Sequence, residues 1–219
     1  MSPWPRRRRT PAEARERRAS VRDLDPVMNA AARFLEARPR SVAETRRRLA
    51  EAGYPAPLVD EVLLRLADLG YLDDESFARA WVESRDRAHP RGEAALRREL
   101  TLKGIRADVI AAVLEERRAP PGPDRPGASP RGASGPSDPA AGPDLDAALL
   151  LLRRRAPALA REPDLRARRR KAYALLGRQG FDPGTCREAL EAWWLAAGGQ
   201  TAADAAQEAP ESPSGIDDV

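Results

Sequence analysis

Residues 46–66 read RRRLAEAGYPAPLVDEVLLRL, residues 97–116 read RRELTLKGIRADVIAAVLEE, and residues 171–193 read KAYALLGRQGFDPGTCREALEAW. Aligned on Gly53, Gly104 and Gly180, all three carry a leucine at −4 (Leu49, Leu100, Leu176) and an apolar residue at +1 (Tyr54, Ile105, Phe181). Apolar or thiol side chains recur at +6 (Val59, Ile110, Cys186), +9 (Val62, Val113, Ala189) and +10 (Leu63, Leu114, Leu190). Agreement in six columns marks three copies of one unit, and an internal repeat of this length decides the fold class.

The unit has a physical reading. One helix ends at the glycine, which takes the left-handed conformation without steric cost, and the +1 residue folds back onto the last turn. A second helix then begins, with Pro57, Asp108 or Pro183 near its start, where a missing N–H or a carboxylate is favoured. Positions +6, +9 and +10 fall on one face of that helix. A further helix precedes each pair, over Val27–Arg38, Glu75–Arg87 and Asp144–Arg155, and Ser41 with Glu44 forms a capping box. Asp73 or Asp74 caps the fourth helix. The expectation is an all-α protein of nine helices in three tandem three-helix repeats, each too thin to bury its apolar face alone.

Working outward, the chain divides into a disordered basic N-terminal arm (1–26), helical repeat 1 (27–72), helical repeat 2 (73–118), a disordered Pro/Gly linker (119–143), helical repeat 3 (144–199) and a disordered acidic tail (200–219). The repeat glycines are 51 residues apart in the first interval and 76 in the second, and the excess equals the 25 residues of the linker. Charge is uneven: the arm and the third repeat each carry a net +4, residues 27–118 only +1, and the tail five acids and no base. The tail is therefore expected to screen the third repeat.

Composition narrows the function. The single cysteine, Cys186, permits no intrachain disulfide, and the single histidine, His89, sits in a turn. Cys186 falls in the +6 core column and reads as packing. Asp73, Asp74 and Glu75 read as a helix start with favourable charge rather than as metal ligands. No Walker-type or Gly-rich dinucleotide loop occurs. The expectation is a protein without catalytic residues, metal or cofactor. No apolar run reaches the ~18 residues needed to span a bilayer, no secretory signal is evident, and a cytoplasmic monomer is expected.

The join between the first two copies carries a resemblance. Arg40-Ser41 with Glu44 and Leu49, then Leu66 through Gly70-Tyr71-Leu72-Asp73-Asp74, Phe77-Ala78, Val82 and Arg85 form the first part of it. Gly92 with Leu96 and Leu100, and Lys103-Gly104-Ile105, continue it. This pattern resembles the RecX family, regulators of the RecA recombinase, closely over residues 28–118 and more loosely over 144–195. The resemblance implies three tandem three-helix repeats in an elongated, curved array. It also implies a non-enzymatic protein that binds the RecA filament on DNA and reduces its ATP hydrolysis, strand exchange and coprotease activity.

The candidates for contact with the recombinase filament, or with single- or double-stranded DNA, are the basic clusters: Arg46, Arg47 and Arg48; Arg97, Arg98 and Lys103; Arg153 and Arg154; Arg168, Arg169, Arg170 and Lys171. Guanidinium groups bind phosphate and carboxylate in bidentate fashion. Consecutive residues fan around a helix, so one of each trio is expected to border the core. Trp81, four residues after Phe77, is expected in the core, and Trp194 at the surface. The rival reading is a helix-turn-helix DNA-binding protein acting without the recombinase. It is weakened by the balanced charge of residues 27–118.

Overall fold

The structure, a computed structural model, describes residues 10–119 and 142–196. Ten α-helices and no strand occur among them. In chain order they are α1 (Pro11–Ala19), α2 (Leu24–Glu36), α3 (Val42–Ala52), α4 (Ala56–Asp68), α5 (Asp74–Ala88), α6 (Glu93–Leu102), α7 (Ala107–Arg118), α8 (Pro143–Leu159), α9 (Leu165–Arg178) and α10 (Pro183–Ala196). They fall into two compact units, the first from residues 10–85 with 96–119, the second from 86–95 with 142–196.

Each repeat owns a core. The first unit holds two. Val27, Ala31, Leu49, Val59, Val62, Leu63, Leu66 and Leu72 form one, and Phe77, Ala78, Val82, Leu96, Leu100, Ile105, Ile110, Val113 and Leu114 the other. In the second unit α8, α9 and α10 enclose a core that includes Leu152, Leu176, Phe181, Cys186 and Leu190. Every +6, +9 and +10 residue of the sequence pattern is buried.

The repeat turn is the same in all three copies. Gly53, Gly104 and Gly180 have φ of 95°, 78° and 84°. The N–H of Tyr54, Ile105 and Phe181 donates to the carbonyl of Leu49, Leu100 and Leu176 at 3.2, 3.1 and 3.4 Å. The glycine N–H itself donates to Ala50, Thr101 or Gly177. These paired bonds satisfy carbonyls that a helix end otherwise leaves open. The three leucines are 0–1% exposed, so the turn and the core are built from the same residue.

Caps follow the sequence closely. The Glu44 N–H donates to Ser41 Oγ at 3.1 Å and the Ser41 N–H to Glu44 Oε2 at 3.4 Å. Asp73, not Asp74, caps α5: its carboxylate accepts the Glu75 N–H at 2.9 Å. α9 starts on Asp164, which accepts the N–H groups of Arg166 and Ala167 at 2.9 and 3.1 Å.

Two boundaries differ from expectation. The basic arm is not disordered throughout residues 1–26. Thr10 and Glu13 make a second capping box that starts α1, and α2 begins at Leu24, so the described residues hold ten helices where nine were expected. Residues 1–9 lie outside the described residues. The linker ends earlier than Pro143, which occupies the first turn of α8, and α8 runs past Arg155 through Pro157 to Leu159. Proline there removes one backbone bond, but Leu159 is buried with Leu145, Ala148 and Leu152 on the same face, and that burial carries the helix onward. The remainder of the linker (120–141) and the acidic tail (200–219) lie outside the described residues.

Within each unit a repeat turn serves as a socket. In the first unit Ser41 Oγ donates to the Lys103 carbonyl at 2.6 Å, and the Val42 N–H to Asp74 Oδ1 at 2.9 Å. A Cβ on Gly104 would collide with Ala43. In the second unit the Gly92 N–H donates to the Gln179 carbonyl and the Glu93 N–H to Asp144 Oδ2, both at 3.0 Å. A Cβ on Gly180 would stand 2.6 Å from that of Ala95. The residues correspond: position −12 donates to the carbonyl one before the next glycine, and position −11 to an aspartate that opens a helix.

The remaining glycine turn is occupied as well. Arg18 Nη1 donates to the Ala52 carbonyl at 3.2 Å, and a Cβ on Gly53 would meet Arg15 Cγ at 2.5 Å. α1 thus sits on the first repeat's turn as a preceding repeat would. It does so without burying any residue of its own.

Candidate nucleic-acid interface

The basic clusters separate once their partners are known. Lys103 is structural: its ammonium lies 2.7 Å from Glu44 Oε1 and 4.8 Å from the centre of the Trp81 ring. Burial pushes the Glu44 carboxyl up, but Lys103, the Ser41 N–H and Arg38 outweigh it and hold the group below the usual carboxylate range. Arg85 covers Trp81 at 4.2 Å, and Glu99 accepts both the indole N–H (2.9 Å) and Arg85 Nε (2.7 Å). Trp81 is therefore a half-buried indole beside two cations as well as a stacking partner of Phe77 at 6.0 Å.

Arg154 donates to the carbonyls of Ala88 and Arg87, both at 2.8 Å, closing the C-terminal end of α5. Arg168 donates through Nε and Nη2 to the Glu162 carbonyl at 2.9 and 2.6 Å, and Lys171 pairs with the Glu162 carboxylate. Arg46 pairs with Asp60 at 3.1 Å. Arg97 and Arg153 are exposed, and neither is without an interaction. Arg47, Arg48, Arg98 and Arg169 are exposed, and none has a side-chain partner among the described residues. Trp194 is half-buried against Trp193, at 5.8 Å between ring centres, rather than fully exposed. His89 is exposed just after α5, and Cys186 is buried with burial raising its thiol pKa.

On α9, Arg166, Arg169, Arg170 and Tyr173 are spaced three, four and seven residues from the first and share one helical face. Ala172 and Leu176 take a different face into the core. Arg187 and Leu190 of α10 complete an open groove of about 380 Å³. Arg170 approaches Asp164 at 3.9 Å, a distance too long to neutralise it firmly in water. The basic run 168–171 is plain in the sequence, whereas Arg166, Tyr173 and Arg187 lie outside any run of basic residues. Reading the arginines by helical face rather than by adjacency finds the first two. Arg187 requires knowing that α10 packs on α9.

Among the described residues, no group of His, Cys, Asp or Glu is placed to hold a metal ion. None of the described helices is long and apolar enough to cross a membrane.

Three-helix repeats that end on identical glycine turns, with arginines on the outer surface, define a tandem helical-repeat protein. Residues 28–66 match the first three-helix domain of RecX, and residues 73–114 match the second. The chain is 44% identical over 84 residues to the regulatory protein RecX of Mycobacterium sp. (strain KMS), covering 38% of this chain and 46% of that one. It is 49% identical over 83 residues to that of Mycobacterium avium (strain 104), covering 37% and 47%. The matched stretch is thus just under half the length of these relatives. The fold is similar to the crystal structure of RecX from Lactobacillus salivarius, with a TM-score of 0.60 and 17% identity over 78% of this chain and 97% of that one. A second crystal structure of regulatory protein RecX gives a TM-score of 0.59 and 18% identity over 77% and 71%.

Proposed function

We propose that this chain is a non-enzymatic regulator of the RecA recombinase, binding the RecA filament on DNA and chiefly inhibiting its ATPase, strand-exchange and coprotease activities. The observation that carries the reading is the consecutive match of both RecX three-helix domains over residues 28–114. The relatives that share this stretch are named as regulatory proteins. A regulator of this kind works as a monomer in the cytoplasm, in DNA repair and the SOS response, and needs neither metal nor cofactor.

The physical logic is that of a binding surface. Short helices stapled at glycine turns hold side chains at fixed spacing, which suits a long repetitive partner. Exposed arginines that no internal carboxylate satisfies, Arg47, Arg48, Arg98 and Arg169, offer bidentate contacts to acidic protein patches or to phosphates.

The test is binding to RecA filaments assembled on single-stranded DNA with a non-hydrolysable ATP analogue, compared with the same DNA bare. Tighter binding to the filament than to bare DNA, by about tenfold or more, is the expected result. Equal affinity for both would replace this reading with a DNA-binding protein that acts without the recombinase.

A further inference from the structure

The α9–α10 face differs in charge from its counterparts. In repeat 1 the positions seven before and seven after the glycine are Arg46 and Asp60, which neutralise each other at 3.1 Å. In repeat 3 the same positions are Tyr173 and Arg187. At −11 and −10, repeat 1 has Val42 and Ala43, which dock on Asp74 and on the Gly104 turn. Repeat 3 has Arg169 and Arg170 there, both exposed. A surface that is apolar and docked in one copy is cationic and open in another.

We infer that Arg166, Arg169, Arg170 and Arg187, with Tyr173 among them, form a binding site for single-stranded nucleic acid. The guanidinium groups would engage successive phosphates, and a base would stack on the phenol ring. From Arg166 to Tyr173 the face runs about 10 Å along the helix axis at 1.5 Å per residue, enough for two neighbouring phosphates. Arg166, Arg169 and Arg187 have no side-chain partner among the described residues, so binding a polyanion breaks no ion pair of theirs. Tyr173 is 40% exposed beside them. An exposed ring within a cationic groove favours an unpaired strand, because duplex bases are already stacked on one another. Asp164 limits the site at the helix start, where its carboxylate is held by backbone N–H groups. The inference rests on the regulator reading for its biological setting, but its measurement contains no recombinase, so the two fail separately.

The test is fluorescence anisotropy of the full chain with labelled oligothymidylate, repeated over a range of salt. Arg169→Glu/Arg187→Glu should weaken binding by about tenfold or more at low salt and make the log–log salt dependence shallower by roughly one to two. Tyr173→Ala should weaken binding to oligothymidylate roughly fivefold or more while changing binding to an abasic strand of equal length less than twofold. Arg106→Glu, on an exposed residue paired with Asp108, should bind as the parent does. Circular dichroism checks that each variant keeps its helices. Parental affinity in the double variant overturns the site. Loss of duplex and single-strand binding to the same degree, with Tyr173→Ala silent, overturns the single-strand assignment. If the double variant binds oligothymidylate normally but loses affinity for a peptide of residues 200–219 added in trans, the face holds the acidic tail and the proposal fails.

Discussion

Ser41 Oγ accepts the Glu44 N–H at 3.1 Å and donates to the Lys103 carbonyl at 2.6 Å, so one hydroxyl both starts α3 and fastens it to the turn after α6. Ser41→Ala removes the cap and leaves a carbonyl without this donor. The expected loss is about 2 kcal/mol of unfolding free energy in urea titration. A loss under about 0.5 kcal/mol would mean that the joint contributes little.

Gly104 and Gly70 separate conformation from crowding. Both have positive φ, 78° and 76°, but a Cβ on Gly104 would collide with Ala43 whereas nothing lies within 4 Å of one on Gly70. Gly70→Ala should cost about 1 kcal/mol, the strain of a left-handed alanine. Gly104→Ala should cost clearly more. Ala43→Gly in the same chain should return part of the difference, as a double-mutant cycle by chemical denaturation will read.

Much of this was legible in the sequence, and the reasons are local. A Schellman turn needs only a leucine, a glycine and an apolar residue at set spacing, so Leu49, Gly53 and Tyr54 announce it without tertiary information. The Ser41–Lys103 joint spans 62 residues and its tightest contact is alanine on glycine, which leaves no pattern in either segment. α1 was hidden for a different reason. None of its residues is buried, so it has no apolar periodicity, and only Thr10 with Glu13 signals a helix start. The α9–α10 groove joins residues from two helices, and only the α9 residues share a spacing.

Glu44 gives the joint a pH dependence. Its folded pKa lies below the unfolded value, so its contribution is fully present above the unfolded carboxylate range and is lost as pH falls through the folded pKa. Glu44→Gln should therefore be less stable than the parent at pH 7, by about 2 kcal/mol. The two proteins should converge as the medium becomes more acidic than about pH 4. A difference that stays constant from pH 7 to pH 3 would assign the effect to packing.

α1 should be the least stable helix of the first unit. It is fastened by Arg18 on the Ala52 carbonyl and by Arg15 against Gly53, with no core side chain. Native-state hydrogen exchange should show the amides from Ala14 to Ala19 opening at about 1 kcal/mol or less, while those of α3 around Leu49 follow global unfolding. Arg18→Ala should speed exchange in α1 and leave Leu49 unchanged. Equal protection of both helices would make α1 an integral part of the repeat core.

The decisive measurement is ATP hydrolysis by RecA on single-stranded DNA while this protein is titrated in, with binding to bare DNA followed in the same buffer. Hydrolysis should fall at concentrations well below those at which the protein coats bare DNA. Unchanged hydrolysis, or inhibition only where bare DNA is already covered, would contradict a regulator that acts on the filament.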